Sequence, residues 1–335
     1  MVRCLNCMGE HEELLPSCPY CGWKGMWRKG DWLEPGTILQ GRYILGTLRS
    51  RNEADILYIG WDALFNRKVL LTEYFPQSCV DRGGDGLLHG EPAMQKVFSA
   101  GIKTFCNTGK RLIMLDDTKG LLNVYSVFEE NGTAYMAMEY PGELTLREAL
   151  LERGALSLES TEELVRCIAV PLSSAHGMHF CHGNLSLDCC YQVAPGKYKV
   201  GGFNEAAYLT GDVPDVRGKA KGRMAPDPGR DVYQLAWITG CALMGVEEWE
   251  DCSVEENLAL LGEDLPEYVV DALTGALKES PSGGRITVRR FLDLFVDEAT
   301  VEILPQPEPL DSEMKKGPKN KKNRGLINIL GGNSL

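Results

Sequence analysis

The sequence predicts an α+β fold with two lobes, preceded by a small ribbon that carries four cysteines. In the first third of the chain, apolar runs alternate with short polar breaks, as they do in strands. After residue 144 the apolar residues recur at helical spacing. Two C-x-x-C pairs lie within the first 21 residues, ahead of both patterns. A strand-rich part followed by a helical part is typical of α+β proteins.

Composition limits the classes of function. The chain has 335 residues, of which 44% are hydrophobic, enough for one sizeable core and a small appendage. Its formal net charge of -12 argues against broad binding to nucleic acid. The start MVRCLNC has no apolar run after its basic residue, so no secretory signal is predicted. No stretch approaches the roughly 20 apolar residues that span a bilayer, and we expect a cytoplasmic protein.

The four N-terminal cysteines have the spacing of a metal site. Cys4 and Cys7 form one C-x-x-C pair, and Cys18 and Cys21 form a second pair after a gap of ten residues. Each pair can place two thiolates on one tight turn, and two facing turns make a tetrahedral cage that suits zinc. We therefore predict a structural zinc ribbon, whose closed cage leaves no open position for catalysis. A redox dithiol and two disulfides are the alternatives, and His11 is expected to be a loop residue.

The body after the ribbon divides into predicted strands and helices. Segments 54–63 and 67–75 are expected to be strands, and a helix is expected over 92–112. Segment 121–140 is expected to be a hairpin, because Asn131-Gly132 between two apolar runs is a strong turn signal. The later helices are expected at 145–154, at 161–180 with an N-cap at Ser160 or Thr161, and at 231–245, 254–262, 265–278 and 287–297.

These patterns divide the chain into four parts. In chain order they are a zinc ribbon, a linker, the main body and a tail, at residues 1–27, 28–40, 41–298 and 299–335. Three tryptophans, Trp23, Trp27 and Trp32, follow the second cysteine pair. They are expected to form a local hydrophobic plug.

The predicted tail changes composition along its length. Residues 305–313 are rich in proline and acidic side chains, which is typical of a linker. A basic run from Lys315 to Arg324 follows, and the apolar segment 325–330 (GLINIL) is too short to span a membrane. A solvated disordered tail is the favoured interpretation. Weak electrostatic contact of the tail with an anionic membrane or an acidic partner is the alternative.

Six segments of the body occur in the order found in one enzyme family. They are GRYILG (41–46), ILYIGWD (56–62), RKVLLTEYFP (67–76), EENGTAYMAMEY (129–140), HGNLSLD (182–188) and DVYQLA (231–236). The chain resembles bacterial serine/threonine protein kinases, and most closely those whose third strand reads VAIKEYFP, a group that often carries an N-terminal zinc ribbon. The resemblance covers about residues 36–297. It implies a two-lobed protein-kinase-like fold.

The resemblance also locates residues of kinase chemistry that are replaced in this chain. Kinases act mainly by positioning ATP and magnesium and by stabilising charge. Their glycine-rich loop falls on residues 49–55, which contain no glycine and whose acidic side chains would repel phosphates. The strand-three lysine falls on Thr72, and its glutamate partner falls near Thr108. Lys68 shares the strand face of Thr72 and is expected to be exposed to solvent.

The catalytic loop and the magnesium ligands are replaced as well. The catalytic base falls on Asn184, an amide that cannot accept the hydroxyl proton. The two magnesium ligands fall on Cys189 and Gly202, neither of which suits a hard, oxygen-seeking ion. Asp188 and Glu205 could be surrogate ligands, but loop-bracing or surface roles are expected. Positions with architectural roles match the family: His182, Phe203, Asp231 and Arg285.

Because the architectural positions match the family and the catalytic positions do not, the sequence predicts a pseudokinase that acts as a scaffold or regulator of other proteins. The expected partner is a protein, such as an active kinase or an envelope assembly, and not a nucleic acid. No catalytic or nucleotide-binding residue is assigned; structural zinc is the expected cofactor, and ATP with magnesium is not expected. The alternative is a weak or atypical serine/threonine kinase, in which the hinge Met138-Glu139-Tyr140 holds an adenine through its backbone.

Overall fold

The computed structural model describes residues 2–11, 15–210, 227–249, 254–260, 265–278 and 286–296. The predicted tail and Arg285 lie outside the described residues. Among the described helices, none is both long and apolar enough to cross a membrane.

The strands predicted at 54–63 and 67–75 are present, and short strands that were not predicted occur before and after them. The ribbon carries a two-stranded sheet of β1 (Val2–Arg3) and β2 (Glu10–His11). The next elements are β3 (Ile38–Leu39), β4 (Tyr43–Arg51), β5 (Asp55–Asp62), β6 (Arg67–Tyr74), β7 (Val80–Arg82), β8 (Leu88–Gly90), α1 (Gln95–Met114), β9 (Val124–Glu130) and β10 (Thr133–Glu139). Together, residues 38–139 are called the sheet half below.

The centre of the sheet half is a six-stranded antiparallel sheet in the order β3-β4-β5-β6-β10-β9. The expected hairpin is confirmed: Asn131 and Gly132 have φ angles of 52° and 74°. Positive φ at both central residues matches the right-handed twist of the flanking strands. A separate small hairpin pairs β7 with β8.

Helix α1 covers the sheet. It was expected over 92–112 and runs over Gln95–Met114. Phe98, Phe105 and Leu112 recur every seven residues and are buried, so one apolar face packs against β9 and β10.

The helices predicted after residue 144 occur in the described part of the helical half, residues 145–296, together with a two-stranded hairpin and a short helix that were not predicted. Its elements are α2 (Leu146–Arg153), α3 (Leu158–Gly177), β11 (Cys190–Ala194), β12 (Lys197–Val200), α4 (Ala207–Thr210), α5 (Pro228–Met244), α6 (Val254–Leu260), α7 (Glu267–Leu277) and α8 (Val288–Phe295). Helix α3 packs against α5 and α8, and α7 packs against the same two helices. The core of this half therefore lies between four long helices.

The predicted cap of α3 was wrong by one turn. The N-cap is Ser157, whose hydroxyl accepts a hydrogen bond from the Ser160 amide. Thr161, the other predicted cap, is buried inside the helix and donates its hydroxyl to the Ser157 carbonyl. Several hydroxyl residues in a row made the cap position ambiguous from sequence, because any of them can satisfy the first helical amides.

The segment expected to be a linker is fastened to the sheet half. Its last residues, Ile38–Leu39, form β3 and pair with β4. The Leu33 amide donates to the Tyr58 hydroxyl at 3.1 Å, and the Arg82 guanidinium donates to the Asp31 carbonyl at 2.6 Å. The segment therefore belongs to the folded surface of the sheet half.

The tryptophans do not form the expected plug. Trp27 is 37% exposed, and Trp23 and Trp32 are half-buried. The indole N–H groups of Trp23 and Trp32 donate to backbone carbonyls only three and four residues away. These hydrogen bonds hold the two rings near their own backbone, and the three tryptophans do not form the expected hydrophobic cluster.

Candidate functional site

A cavity of about 230 Å³ lies between the sheet half and the helical half. Its wall brings together Thr72 from β6, Asn184 and Cys189 from the loop before β11, and Gly202 after β12. These positions are far apart in sequence, and their convergence was expected from the resemblance. Any chemistry of this cavity therefore depends on the side chains that line it.

The thiol at the first expected magnesium position is neutral. Burial raises the pKa of Cys189 to about 12, and a hydrogen bond from Ser186 only partly offsets that rise. The thiol donates to the Asn184 carbonyl at 3.3 Å. A neutral thiol that is already bonded to the backbone is a poor ligand for magnesium.

The second expected magnesium position is restricted to glycine by its surroundings. Gly202 has a φ of 77°, in the left-handed region that side-chain-bearing residues rarely adopt. A Cβ atom at Gly202 would lie 2.9 Å from the Cys189 sulfur. The two substitutions therefore fit each other sterically, since the sulfur occupies space that a side chain at 202 would need.

The loop between β4 and β5, where the resemblance places the glycine-rich loop, is stabilised by an asparagine. The Asn52 side-chain oxygen accepts from the amides of Ala54 and Asp55 at 2.8 and 2.9 Å. Its side-chain amide donates to the Asp55 carboxylate at 2.8 Å. This Asx turn holds the chain between β4 and β5 without any glycine.

The tip of this loop is bound to the helical half. The Asn204 side-chain amide donates to the Asp55 carboxylate at 3.0 Å, and Ala54 packs in a buried cluster with Ala207 and Tyr208. Burial raises the pKa of Asp55 to about 6, while its bonds to Asn204 and Asn52 act in the opposite direction. The loop is thus closed over the cavity by a contact that sequence patterns did not predict.

One cation also lines the cavity. The Arg51 guanidinium pairs with Asp31 at 3.1 Å and lies 5.0 Å from the centroid of the Phe75 ring. Its charge is therefore already balanced by a carboxylate of the chain.

The two carboxylates considered as surrogate magnesium ligands brace the structure instead. Asp188 accepts two hydrogen bonds from Arg147, at 2.8 and 3.1 Å. Glu205 accepts from the Cys181 amide at 2.9 Å and lies 3.7 Å from the Arg111 guanidinium. Burial raises the pKa of Glu205. The architectural interpretation of both residues agrees with these contacts.

The catalytic-loop scaffold is held by a buried aspartate on α5. Asp231 accepts from the amides of His182 and Gly183 at 2.8 and 3.3 Å, and from His176 at 2.8 Å. The Nε2 atom of His182 donates to the Gly201 carbonyl at 2.8 Å, and burial lowers the pKa of His182 to about 4. Sequence analysis identified His182 and Asp231 but missed His176, which lies at the end of α3.

His176, Cys181 and Asp231 also lie close enough together to hold a metal ion. The Asp231 oxygens are already engaged by two backbone amides and an imidazole. This group is therefore accounted for as part of the loop scaffold.

The hinge is occupied by protein contacts. The Glu139 amide donates to the Asn123 carbonyl at 2.8 Å, and both Glu139 carboxylate oxygens accept from Lys199 at 2.6 and 2.7 Å. The Tyr140 hydroxyl donates to Glu143. The Glu139 amide, one of the hinge groups expected to bind adenine, is thus hydrogen-bonded to another part of the protein.

Lys68 on β6 and Thr108 on α1 were both considered in relation to the expected strand-three lysine. Lys68 was expected to be exposed and is half-buried, with its ammonium 5.2 Å from the centroid of the Tyr140 ring. The aromatic face attracts the cation and covers its aliphatic stem. Thr108, at the position expected for the lysine's glutamate partner, is buried on α1.

The four predicted metal ligands come together. The sulfur atoms of Cys4, Cys7, Cys18 and Cys21 all lie within 4.8 Å of one another. The Cys4–Cys21 and Cys7–Cys18 sulfur distances are both 3.7 Å. Four sulfurs at the usual zinc–sulfur distance in a tetrahedron are separated by about 3.8 Å. The cluster therefore fits a tetrathiolate zinc site, and its sulfur separations are far longer than a disulfide bond.

Each cysteine pair sits on a tight turn. The Met8 amide donates to the Cys4 carbonyl at 2.8 Å, and the Gly22 amide donates to the Cys18 carbonyl at 2.9 Å. Met8 and Gly22 both have positive φ, which the turns require. The two turns face each other, as the C-x-x-C spacing predicted.

The ribbon is bound to β4 of the sheet half. The Thr47 amide donates to the Leu5 carbonyl at 2.8 Å, and the Thr47 hydroxyl donates to the Asn6 side-chain oxygen at 2.8 Å. Arg49 donates to the Asn6 carbonyl at 2.6 Å. Met8 is almost fully buried at this contact, where a Cβ atom on Gly46 would lie 2.3 Å from its methyl carbon.

Comparisons with known proteins bear on the fold. No family model matches the chain, and no curated protein matches it. Among solved structures, the apo form of PpkA-294 is similar, with a TM-score of 0.56 and 18% sequence identity, over 80% of this chain and 100% of that chain. At this identity the likeness shows the fold alone. The chain has a mixed fold of strands and helices similar to a kinase structure.

Proposed function

We propose that this chain is a pseudokinase, a protein-kinase-like body without phosphoryl transfer that acts as a scaffold or regulator of a protein partner. The proposal is supported by the cleft, where the side chains differ from those that kinase chemistry needs. Phosphoryl transfer requires cationic and metal stabilisation of the transferred phosphate. Thr72, Asn184, Cys189 and Gly202 supply neither a cation nor an ionised oxygen ligand.

The position of Asp55 is the observation that carries the proposal. In the region where the resemblance places the phosphates, a buried carboxylate of the loop is bonded to Asn204 of the opposite half. A nucleoside triphosphate placed there would meet the like charge of this carboxylate, which is costly at low dielectric. Arg51 offers little compensation, because Asp31 already pairs with it.

Zinc is proposed as a structural cofactor of the ribbon, held by Cys4, Cys7, Cys18 and Cys21. The support is the sulfur geometry, which suits a closed tetrahedral site. A bound zinc ion would contribute folding free energy to a ribbon that has little core of its own.

The proposed partner is a protein, with an active kinase or an envelope assembly as the classes that the resemblance implies. The net charge of -12 disfavours nucleic acid. We propose a cytoplasmic location, with weak contact of the basic tail with an anionic membrane as the additional hypothesis.

A phosphotransfer assay tests the loss of activity. Zinc-loaded protein is incubated with labelled ATP, magnesium or manganese, and a generic protein substrate. The proposal expects no labelled product above that of a matched Asn184→Ala, Cys189→Ala variant. Magnesium-dependent labelling by the unaltered chain that the cleft variant lacks would favour the alternative, a weak or atypical serine/threonine kinase.

A further inference from the structure

A groove of about 510 Å³ lies where the ribbon meets the sheet half. Its ribbon side includes Cys7 and Cys21, and its other side includes Arg49 and Lys68. Two of the four proposed metal ligands and two cations of the kinase-like body thus share one groove. The pseudokinase hypothesis gives these cations no role.

Asn6 connects the body to the cysteine cluster. Its side-chain amide donates to the Cys21 sulfur at 3.6 Å. The orientation of that amide is fixed from the body, because the Thr47 hydroxyl donates to its oxygen at 2.8 Å. Arg49 fixes the backbone of the same residue through its carbonyl at 2.6 Å. A hydrogen bond to a ligating sulfur is therefore oriented by residues outside the ribbon.

Lys68 is the second cation that lines the groove. In the described parts of the chain it forms no ion pair, and its ammonium is held over the Tyr140 ring. Arg49, by contrast, lies 3.3 Å from Glu143, which also accepts from the Tyr140 hydroxyl. Of the two cations that line the groove, Lys68 is therefore the one without a carboxylate in salt-bridge contact among the described residues.

The net charge of a zinc ion bound by four thiolates favours a cation beside this cluster. Zinc bound by four thiolates has a net charge of -2, because each ligating cysteine is deprotonated. A nearby ammonium and an amide N–H directed at a sulfur both stabilise that negative charge. An acidic peptide in the groove would instead meet the negative charge of the metal site.

We propose that the kinase-like body forms the outer shell of the ribbon's metal site, with Thr47 orienting Asn6 and Lys68 offsetting the charge of the tetrathiolate. This inference rests on the zinc site of the proposed function and adds residues that tune it. Metal binding and docking of the ribbon are then coupled. By linkage, the body strengthens metal binding by the same factor by which the metal strengthens docking.

Zinc affinity of the full chain tests the inference. Thr47→Val removes the bond that orients Asn6, and Lys68→Gln removes the uncompensated charge. Lys103→Gln is the matched control, because Lys103 is an exposed cation on α1. Competition with a chromophoric chelator should show zinc binding weakened about tenfold in each groove variant and unchanged in the control.

Two further readouts separate this inference from its premise. Cobalt substitution reports the thiolate ligands through their charge-transfer bands, and all four proteins should give the same bands. If the unaltered chain gives no such bands and binds no zinc, the metal site itself is wrong. If it binds zinc but both groove variants match Lys103→Gln, the outer-shell proposal is overturned.

Hydrogen exchange tests the reciprocal effect. The Thr47 amide donates to the Leu5 carbonyl, so its protection reports docking of the ribbon on β4. Protection should fall when zinc is removed by a chelator, while that of the Met136 amide in the central sheet should not. Equal protection of Thr47 with and without zinc would contradict the coupling.

Discussion

The four-cysteine cluster and the cleft both bring together residues that the sequence singled out, but they differ in chemistry. In the cluster every predicted ligand is a cysteine, and the sulfur geometry suits a metal. In the cleft the expected positions also converge, yet they carry a hydroxyl, an amide, a neutral thiol and a glycine. Convergence is thus a property of the fold, whereas reactivity depends on the side chains that the fold brings together.

A second contrast lies within the loop of the cleft itself. His182 retains its hydrogen bonds to Asp231 and to the Gly201 carbonyl. A few residues later, the Asn184 amide donates to the His182 ring and the Cys189 thiol donates to the Asn184 carbonyl, each at 3.3 Å. Bracing of this loop thus depends on His182 and Asp231, whereas the pseudokinase proposal depends on the side chains at 184 and 189.

The largest expected effect is on the metal site. Cys18→Ser removes one of four thiolates and should weaken zinc binding by more than 100-fold, since even outer-shell changes cost about 10–100-fold. Cys167→Ser, on α3 and outside the cluster, is the control and should bind one zinc per chain. Metal analysis after gel filtration measures the stoichiometry. Full zinc content in the Cys18 variant would contradict the proposal that Cys18 is a zinc ligand.

The next effect concerns the loop scaffold. Asp231→Asn leaves buried amides and an imidazole without their anionic partner, and should lower the free energy of unfolding by about 3–5 kcal/mol. Asp188→Asn is the same substitution at a largely exposed ion pair and should cost less than about 1 kcal/mol. Urea unfolding of both variants gives the comparison. Equal losses would mean that the scaffold does not depend on Asp231.

The smallest effect concerns the pH dependence of the closed loop. Because burial raises the pKa of Asp55 to about 6 from an ordinary value of 3.8, the folded state keeps a proton that the unfolded state releases in this window. Stability should therefore fall as the pH rises from about 4 to 6, by roughly 2–3 kcal/mol.

The contribution of Asp55 is isolated by subtraction. The difference in unfolding free energy between the unaltered chain and Asp55→Asn should change across that window, to the disadvantage of the unaltered chain at higher pH. All other titratable groups are the same in the two proteins, so their contributions cancel in this difference to a first approximation. A difference that does not vary with pH would show that Asp55 is not buried against Asn204.

Local patterns made much of the fold predictable. The Asn131-Gly132 turn, the seven-residue recurrence on α1 and the C-x-x-C turns are all set by residues close in sequence. The resemblance then placed Thr72, Asn184, Cys189 and Gly202 in one cleft, because the order of segments fixes the topology.

Contacts between distant polar side chains could not be predicted in the same way. Asp55 and Asn204 are 149 residues apart, and neither has a partner that periodicity could indicate. The contacts of Lys68 with the Tyr140 ring and of Asn6 with Thr47 could not be predicted for the same reason. Such contacts depend on the final packing of two elements, and they determine whether a cleft is open or closed.

The central claim is that the cleft does not bind ATP with magnesium. Thermal unfolding of zinc-loaded protein, alone and with ATP and magnesium, tests it most directly. A ligand that binds only the folded state stabilises it by about 2.7 kcal/mol at a hundredfold excess over its dissociation constant. The midpoint of unfolding is expected to stay unchanged. A rise that requires both ATP and magnesium would contradict it.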